Sequence, residues 1–146
     1  IRQVESRGGA ACIVMISVHN YEEVKETYDT SIADELIVNV SERIQRLVRP
    51  LDVVSYFSPG LFALVVIQPN IEQCTAESYN RIFDGLRLKS YTTKAGFQSV
   101  SIGMSICAAT AETGAPTIDN MIKFARKELD ESVRTESIMV HHIIPE

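Results

Sequence analysis

Residues 49–67 constrain this chain more than any other stretch, because two apolar runs there flank a turn. Residues 53–57 and 61–67 are rich in β-branched and aromatic side chains, and Ser58-Pro59-Gly60 between them has the composition of a tight connection. The stretch therefore predicts a β-hairpin. Where an enzyme puts chemistry on such a hairpin, carboxylates in the turn hold a metal or a proton. This turn carries none.

The neighbouring elements follow from local pattern. Residues 11–18 are a continuous apolar run of strand length, as expected for a central strand covered on both faces. A short charged helix is expected over 21–28, opened by Asn20 or its neighbours. Asp29, Thr30 and Ser31 offer caps for a second helix, in which Ile32, Leu36, Val40, Ile44, Leu47 and Val48 recur three and four residues apart. Pro50 cannot continue it and disfavours helical backbone at Arg49, so the helix stops there. Beyond the hairpin, Pro69-Asn70 breaks the chain, and 72–88 repeats a helical spacing through Tyr79, Ile82, Phe83 and Leu86.

Residues 97–108 read as one strand, with Val100, Ile102, Met104 and Ile106 on one face and Ser99, Ser101, Gly103 and Ser105 on the other. Gly103 suits a place where another backbone passes close. A loop over 113–116 precedes a helix capped by Thr117 or Asp119 and running to about 134, and 138–144 is a last strand. The adjacent His141 and His142 point to opposite faces of that strand, which argues against a shared metal. Strand, two helices, hairpin, helix, strand, helix, strand is the order of an α+β sandwich of ferredoxin-like type, a central mixed sheet of about five strands flanked by helices.

At 146 residues the chain has the size of one domain. Residues 1–10 read as an N-terminal tail or the remnant of a longer polypeptide, and 11–146 as the domain itself. No apolar run reaches the roughly 18 residues needed to span a bilayer, and no leading segment reads as a signal peptide, so a soluble domain is expected. Cys12, Cys74 and Cys107 lack metal-type spacing and are expected as small buried hydrophobes in a reducing compartment. A net charge of −5 argues against non-specific nucleic-acid binding, although a local basic cluster can still hold a small anion.

In these residues the chain resembles the GGDEF domains, which as diguanylate cyclases join two GTP molecules into cyclic di-GMP on a nucleotidyl-cyclase-like fold. The family's signature turn falls at Ser58-Pro59-Gly60-Leu61-Phe62, where only Phe62 keeps its family identity. Val100-Ser101-Ile102-Gly103 matches a family strand motif, and Ile32-Ala33-Asp34-Glu35-Leu36 matches the start of its long helix. The resemblance implies that catalysis needs a carboxylate at the end of the first strand and another in the turn. There two divalent cations neutralise a triphosphate while a 3′-hydroxyl attacks the α-phosphorus. The corresponding positions are Ser17, at best a weak neutral ligand, and Gly60 or Leu61. The family's guanine-contacting asparagine corresponds to Lys25 and its phosphate-holding lysine to Val133, while Asp34, on the guanine edge, is retained. The implied domain is a degenerate one, with no magnesium site or other cofactor and no cyclase activity.

The resemblance also implies a product-binding inhibitory site, an Arg-x-x-Asp ending five residues before the turn. Arg49-Pro50-Leu51-Asp52 stands in that register, and Arg81 matches the second arginine within about one residue of loop slack. Guanidinium groups grip phosphate oxygens or guanine O6 and N7 in two-pronged fashion, and a carboxylate accepts from guanine N1 and N2, so this set suits cyclic di-GMP. Arg and Asp at a helix-to-strand corner also commonly pair with each other. Two functions are therefore expected in competition. One is a regulatory domain reading cyclic di-GMP through Arg49, Asp52 and Arg81. The other is a structural or dimerising module that positions a sensory or EAL-type phosphodiesterase domain and binds no nucleotide. A third arrangement has Lys25 and Asp34 hold GTP or ATP without turnover. Further expectations are a homodimer sharing the product site, no nucleic-acid partner, no direct membrane contact, and a cytoplasmic location, either free or as the cytosolic part of a membrane-anchored protein.

Overall fold

In the computed structural model, residues 10–49, 53–110 and 118–143 are described. The elements run β1 (Ala10–Val18), α1 (Tyr21–Thr27), α2 (Thr30–Leu47), β2 (Val53–Ser58), β3 (Leu61–Gln68), a 3-10 turn (Ile71–Gln73) and α3 (Ala76–Arg87). They continue with β4 (Tyr91–Thr93), β5 (Gly96–Gln98), β6 (Ile102–Thr110), α4 (Ile118–Lys127), α5 (Leu129–Thr135) and β7 (Met139–Ile143). Five strands form one sheet in the order β2-β3-β1-β6-β7, with β1 antiparallel to both neighbours and β7 parallel to β6. The first four positions keep the expected ferredoxin-like order, and β7 extends it.

β1 sits at the centre, and that position explains its unbroken apolar run. Cys12, Val14, Ile16 and Val18 pack into the layer with α2 and α3, through Leu36, Val40, Ile44, Phe83 and Leu86. Ile13 and Met15 face the opposite layer with Met121, Ala125 and Leu129 of α4 and α5. A strand covered on both faces has no solvent side on which to place polar residues. The α2 helix starts as expected, with the Asp29 carboxylate accepting from Ile32 N at 2.9 Å, an N-cap worth about 1 kcal/mol. Ile32, Leu36, Val40, Ile44 and Leu47 form its buried stripe, and Val48 turns to extended backbone two residues before Pro50.

The hairpin forms where expected, and its connection shows why glycine stands at 60. Gly60 has φ +85°, and its carbonyl accepts from Val18 N at 2.7 Å, which ties the turn to the end of β1. A Cβ there would also meet Val18 O at 3.1 Å, so a side chain faces both backbone strain and crowding.

Three expectations change in detail. The helix expected over 72–88 begins at Ala76, because a 3-10 turn intervenes and Thr75 takes the cap, its Oγ1 accepting from Ser78 N. The single strand expected over 97–108 is two: β5 pairs with β4 in a separate ribbon, and β6 starts at Ile102. The helix expected to run to about 134 breaks at Glu128 into α4 and α5. Strand β1 begins at Ala10, while residues 1–9, the loop over 113–116, Thr117 and Ile144 lie outside the described residues. All three cysteines are buried and free. His141 and His142 diverge as expected: His141 stacks on Phe124 at 4.8 Å, and His142 Nε2 lies 2.6 Å from Cys74 O.

Candidate functional site

Ser17, the last-but-one residue of β1, is buried, and lies opposite Leu61 of β3 and Gly103 of β6. The α5 helix closes over it. A Cβ on Gly103 would stand 2.7 Å from Ser17 Oγ, 2.9 Å from Leu129 O and 3.0 Å from Val133 Cγ2, so only glycine lets the helix approach this closely. The Ser132 hydroxyl fastens the contact by accepting from Met104 N at 2.8 Å and donating to Ser137 O at 2.6 Å. Ser17 and Val133 thus meet at Gly103, and Leu61 lies beside Ser17 on the neighbouring strand at the other side of β1.

Two residues that sequence reasoning missed complete this place. Ser17 Oγ lies 2.6 Å from His19 Nδ1, and His19 Nε2 lies 2.6 Å from Asp130 Oδ1. An ionised carboxylate only accepts, so Nε2 carries a proton towards Asp130, and in the neutral ring Nδ1 accepts from the Ser17 hydroxyl. His19 is legible as the same-face neighbour of Ser17 at the strand end. Asp130 lies 111 residues further along the chain and has no sequence signal. The chain of bonds ties β1 to α5.

The other positions named from the signature-turn region have local partners. Lys25 on α1 pairs with Glu22 at 3.3 Å. Asp34 on α2 accepts from the Tyr21 hydroxyl at 2.8 Å, a bond that, with burial, pushes the phenol up to about 12. Asp34 and Pro59 line a shared cleft of about 430 Å3 whose other walls include Ile37, Val38 and Tyr56, and Lys25 is not among its lining residues. Ser58 ends β2, Leu61 and Phe62 are buried, and Phe62 meets Tyr56 edge-on at 5.6 Å. As a donor set for a divalent cation these residues do not fit. The Ser17 hydroxyl is bonded to imidazole, the Gly60 carbonyl is bonded to Val18 N–H, and Leu61 has no side-chain oxygen. Among the described residues, no three His, Cys, Asp or Glu side chains gather closely enough to hold a metal.

Arg49 and Arg81 do come together. Both are exposed, and both line a cleft of about 160 Å3 with Leu47, Val48, Gln68 and Tyr79. Arg81 Nη2 donates to Leu47 O at 2.7 Å, which satisfies a carbonyl of the last turn of α2. Asp52, with Pro50 and Leu51, lies outside the described residues.

The family model described as diguanylate cyclase, GGDEF domain, matches residues 1–137. The chain belongs to the GGDEF domain family. That family serves cyclic di-GMP signalling. Solved GGDEF structures share the fold. The GGDEF domain of TpbB (YfiN) from Pseudomonas aeruginosa superposes with a TM-score of 0.79 at 15% identity, over 98% of this chain and 82% of that one. The GGDEF domain of DgcB from Caulobacter crescentus, in complex with c-di-GMP, gives 0.77 at 13%, over 97% and 82%. An EAL/GGDEF domain protein from M. capsulatus gives 0.73 at 17%, over 99% and 93%. Comparison with curated proteins gives no match. Among the described residues, no helix of this GGDEF domain is long and apolar enough to cross a membrane.

Proposed function

We propose that this GGDEF domain is catalytically silent and responds to cyclic di-GMP through the cleft between the end of α2 and α3. The observation that carries the reading is a contrast between two places. Where the family chemistry needs oxygen donors for two cations, the chain offers a hydroxyl bonded to His19, a leucine and a glycine carbonyl already engaged by Val18 N–H. Where the family holds its product, Arg49 and Arg81 line one cleft and stay exposed. Two guanidinium groups suit the phosphates and guanine edges of a cyclic dinucleotide, and Asp52 follows Arg49 by three residues in the register that would meet a guanine.

A second reading is favoured by one specific contact. The bond from Arg81 to Leu47 O makes that arginine a helix cap, and a domain whose arginines only cap and solvate a corner is a scaffold for neighbouring sensory or EAL-type domains. Retained binding of GTP or ATP without turnover is less well supported, because Glu22 holds Lys25 and Tyr21 engages Asp34. The silent half of the proposal is tested by incubating the purified protein with GTP and magnesium or manganese. The expected result is no cyclic di-GMP above background, and steady production would overturn it.

A further inference from the structure

The face of α2 turned towards β4 carries a feature that neither the signature turn nor the arginine cleft uses. Asn39, Glu42, Arg43 and Arg46 stand three, four and seven residues apart, which places them on one stripe of the helix. Residues 89–92 run alongside that stripe, and the two walls enclose a cleft of about 230 Å3. Its walls are held in place. Asn39 Nδ2 donates to Thr92 O at 2.8 Å, Tyr91 Oη donates to Leu86 O at 2.9 Å, and Arg43 Nε donates to Gly85 O at 3.2 Å. The last bond fixes the Arg43 guanidinium while leaving its other N–H groups available to the cleft.

Charge decides what such a cleft accepts. Three cations, Arg43, Arg46 and Lys89, face one carboxylate, Glu42, in a chain whose net charge is −5. Arg46 and Lys89 are exposed, and neither forms an ion pair among the described residues. Arg43 and Arg46 lie towards the negative end of the α2 dipole, Lys89 follows the end of α3 and lies 6.0 Å from the Tyr91 ring, and the fold brings all three cations to one cleft. The Ser90 and Thr92 hydroxyls add neutral donors to the same wall.

We propose that this cleft binds a phosphate-bearing anion, separately from the cyclic di-GMP cleft. The arginines supply two-pronged hydrogen bonds, Lys89 a point charge, and the hydroxyls further donors to phosphate oxygens. Three cations within one cleft, with hydroxyls beside them, suit the oxygens of a phosphate or diphosphate group. Two apolar side chains flank it. Thr92 pairs with Phe97 across the β4–β5 ribbon, which puts the 78% exposed Phe97 on the same face, and the 70% exposed Leu88 precedes Lys89. A free phosphate would use the cations alone, and a lipid headgroup would meet these apolar neighbours as well.

The test titrates pyrophosphate into 15N-labelled protein at low ionic strength, with a parallel sedimentation arm using phosphatidylglycerol/phosphatidylcholine vesicles. Saturable shifts at amides 39–46 and 88–92 are expected, weakened at least tenfold in Arg46→Ala/Lys89→Ala. They should persist in Lys123→Ala/Lys127→Ala, which makes the same change in net charge elsewhere, and in Arg49→Ala. Vesicle binding lost in the first double variant alone identifies a lipid phosphate as a source, and pyrophosphate binding without vesicle binding identifies a free one. The inference is overturned if neither probe binds, or if both double variants weaken binding equally.

Discussion

Replacing Gly103 by alanine probes how closely α5 is applied to the sheet. The added methyl would meet three neighbours at 3.0 Å or less. Val133 Cγ2 can rotate away, and Ser17 Oγ can swing only by giving up His19. Leu129 O, at 2.9 Å, is backbone in the first turn of α5 and moves only with the helix, stretching the bonds that Ser132 accepts from Met104 N and Asp130 from His19. Overpacking of this kind costs about 1–3 kcal/mol. The lost freedom of the unfolded chain returns about 0.4–1 kcal/mol, leaving a net loss of up to about 2.6 kcal/mol, centred near about 1.3 kcal/mol. For a chain of this size that lowers Tm by roughly 2–8 °C. Urea unfolding followed by circular dichroism should show an earlier midpoint with unchanged slope. Gly85→Ala is the control, because its methyl meets only the flexible end of Leu47 at 3.0 Å and gains about 1 kcal/mol of helix propensity. A Gly103→Ala protein as stable as the parent would refute the close-contact account.

Two further outcomes follow from buried groups. Tyr21 holds its proton more tightly when folded than the ordinary phenol value of 10, so its contribution is complete below pH 10 and is lost as pH rises through about 12. Tyr21→Phe should flatten the fall in urea midpoint over that window, with the fall that remains owing partly to Tyr91, also pushed up to about 12, by burial; an unchanged fall would remove Tyr21 as a source of it. Cys12, Cys74 and Cys107 are buried, and burial raises the Cys107 thiol to about 11, so a thiol reagent should label none of them until denaturant unfolds the chain. Rapid native labelling of any one would contradict the packing.

Legibility in the sequence tracked how local each cause was. The hairpin, β1 and α2 were readable because Ser58-Pro59-Gly60, an unbroken apolar run and Asp29 with its stripe each act within a few residues. The β4–β5 ribbon was not, since two strands of three residues leave too short a pattern, and alternation running through Val100 and Ile102 hid the boundary. The break at Glu128 has no glycine or proline to mark it. For the site, the positions of Ser17, Leu61 and Arg49 could be named from the resemblance, and Arg49 and Arg81 line one cleft. The His19–Asp130 link comes from α5 folding back over β6, so only the tertiary structure reveals it. Gly103 was legible as a close approach, and the backbone it admits is Leu129.

Calorimetric titration of cyclic di-GMP into the wild-type protein, Arg49→Ala and Arg81→Ala tests the central claim most directly. Hydrogen bonds to charged groups contribute about 1.5–3 kcal/mol, and every 1.4 kcal/mol is tenfold in affinity, so saturable binding by the wild type and at least tenfold weaker binding by each variant are expected. No heat at tens of micromolar protein, or the same heat from all three, would contradict the account and leave the scaffold reading.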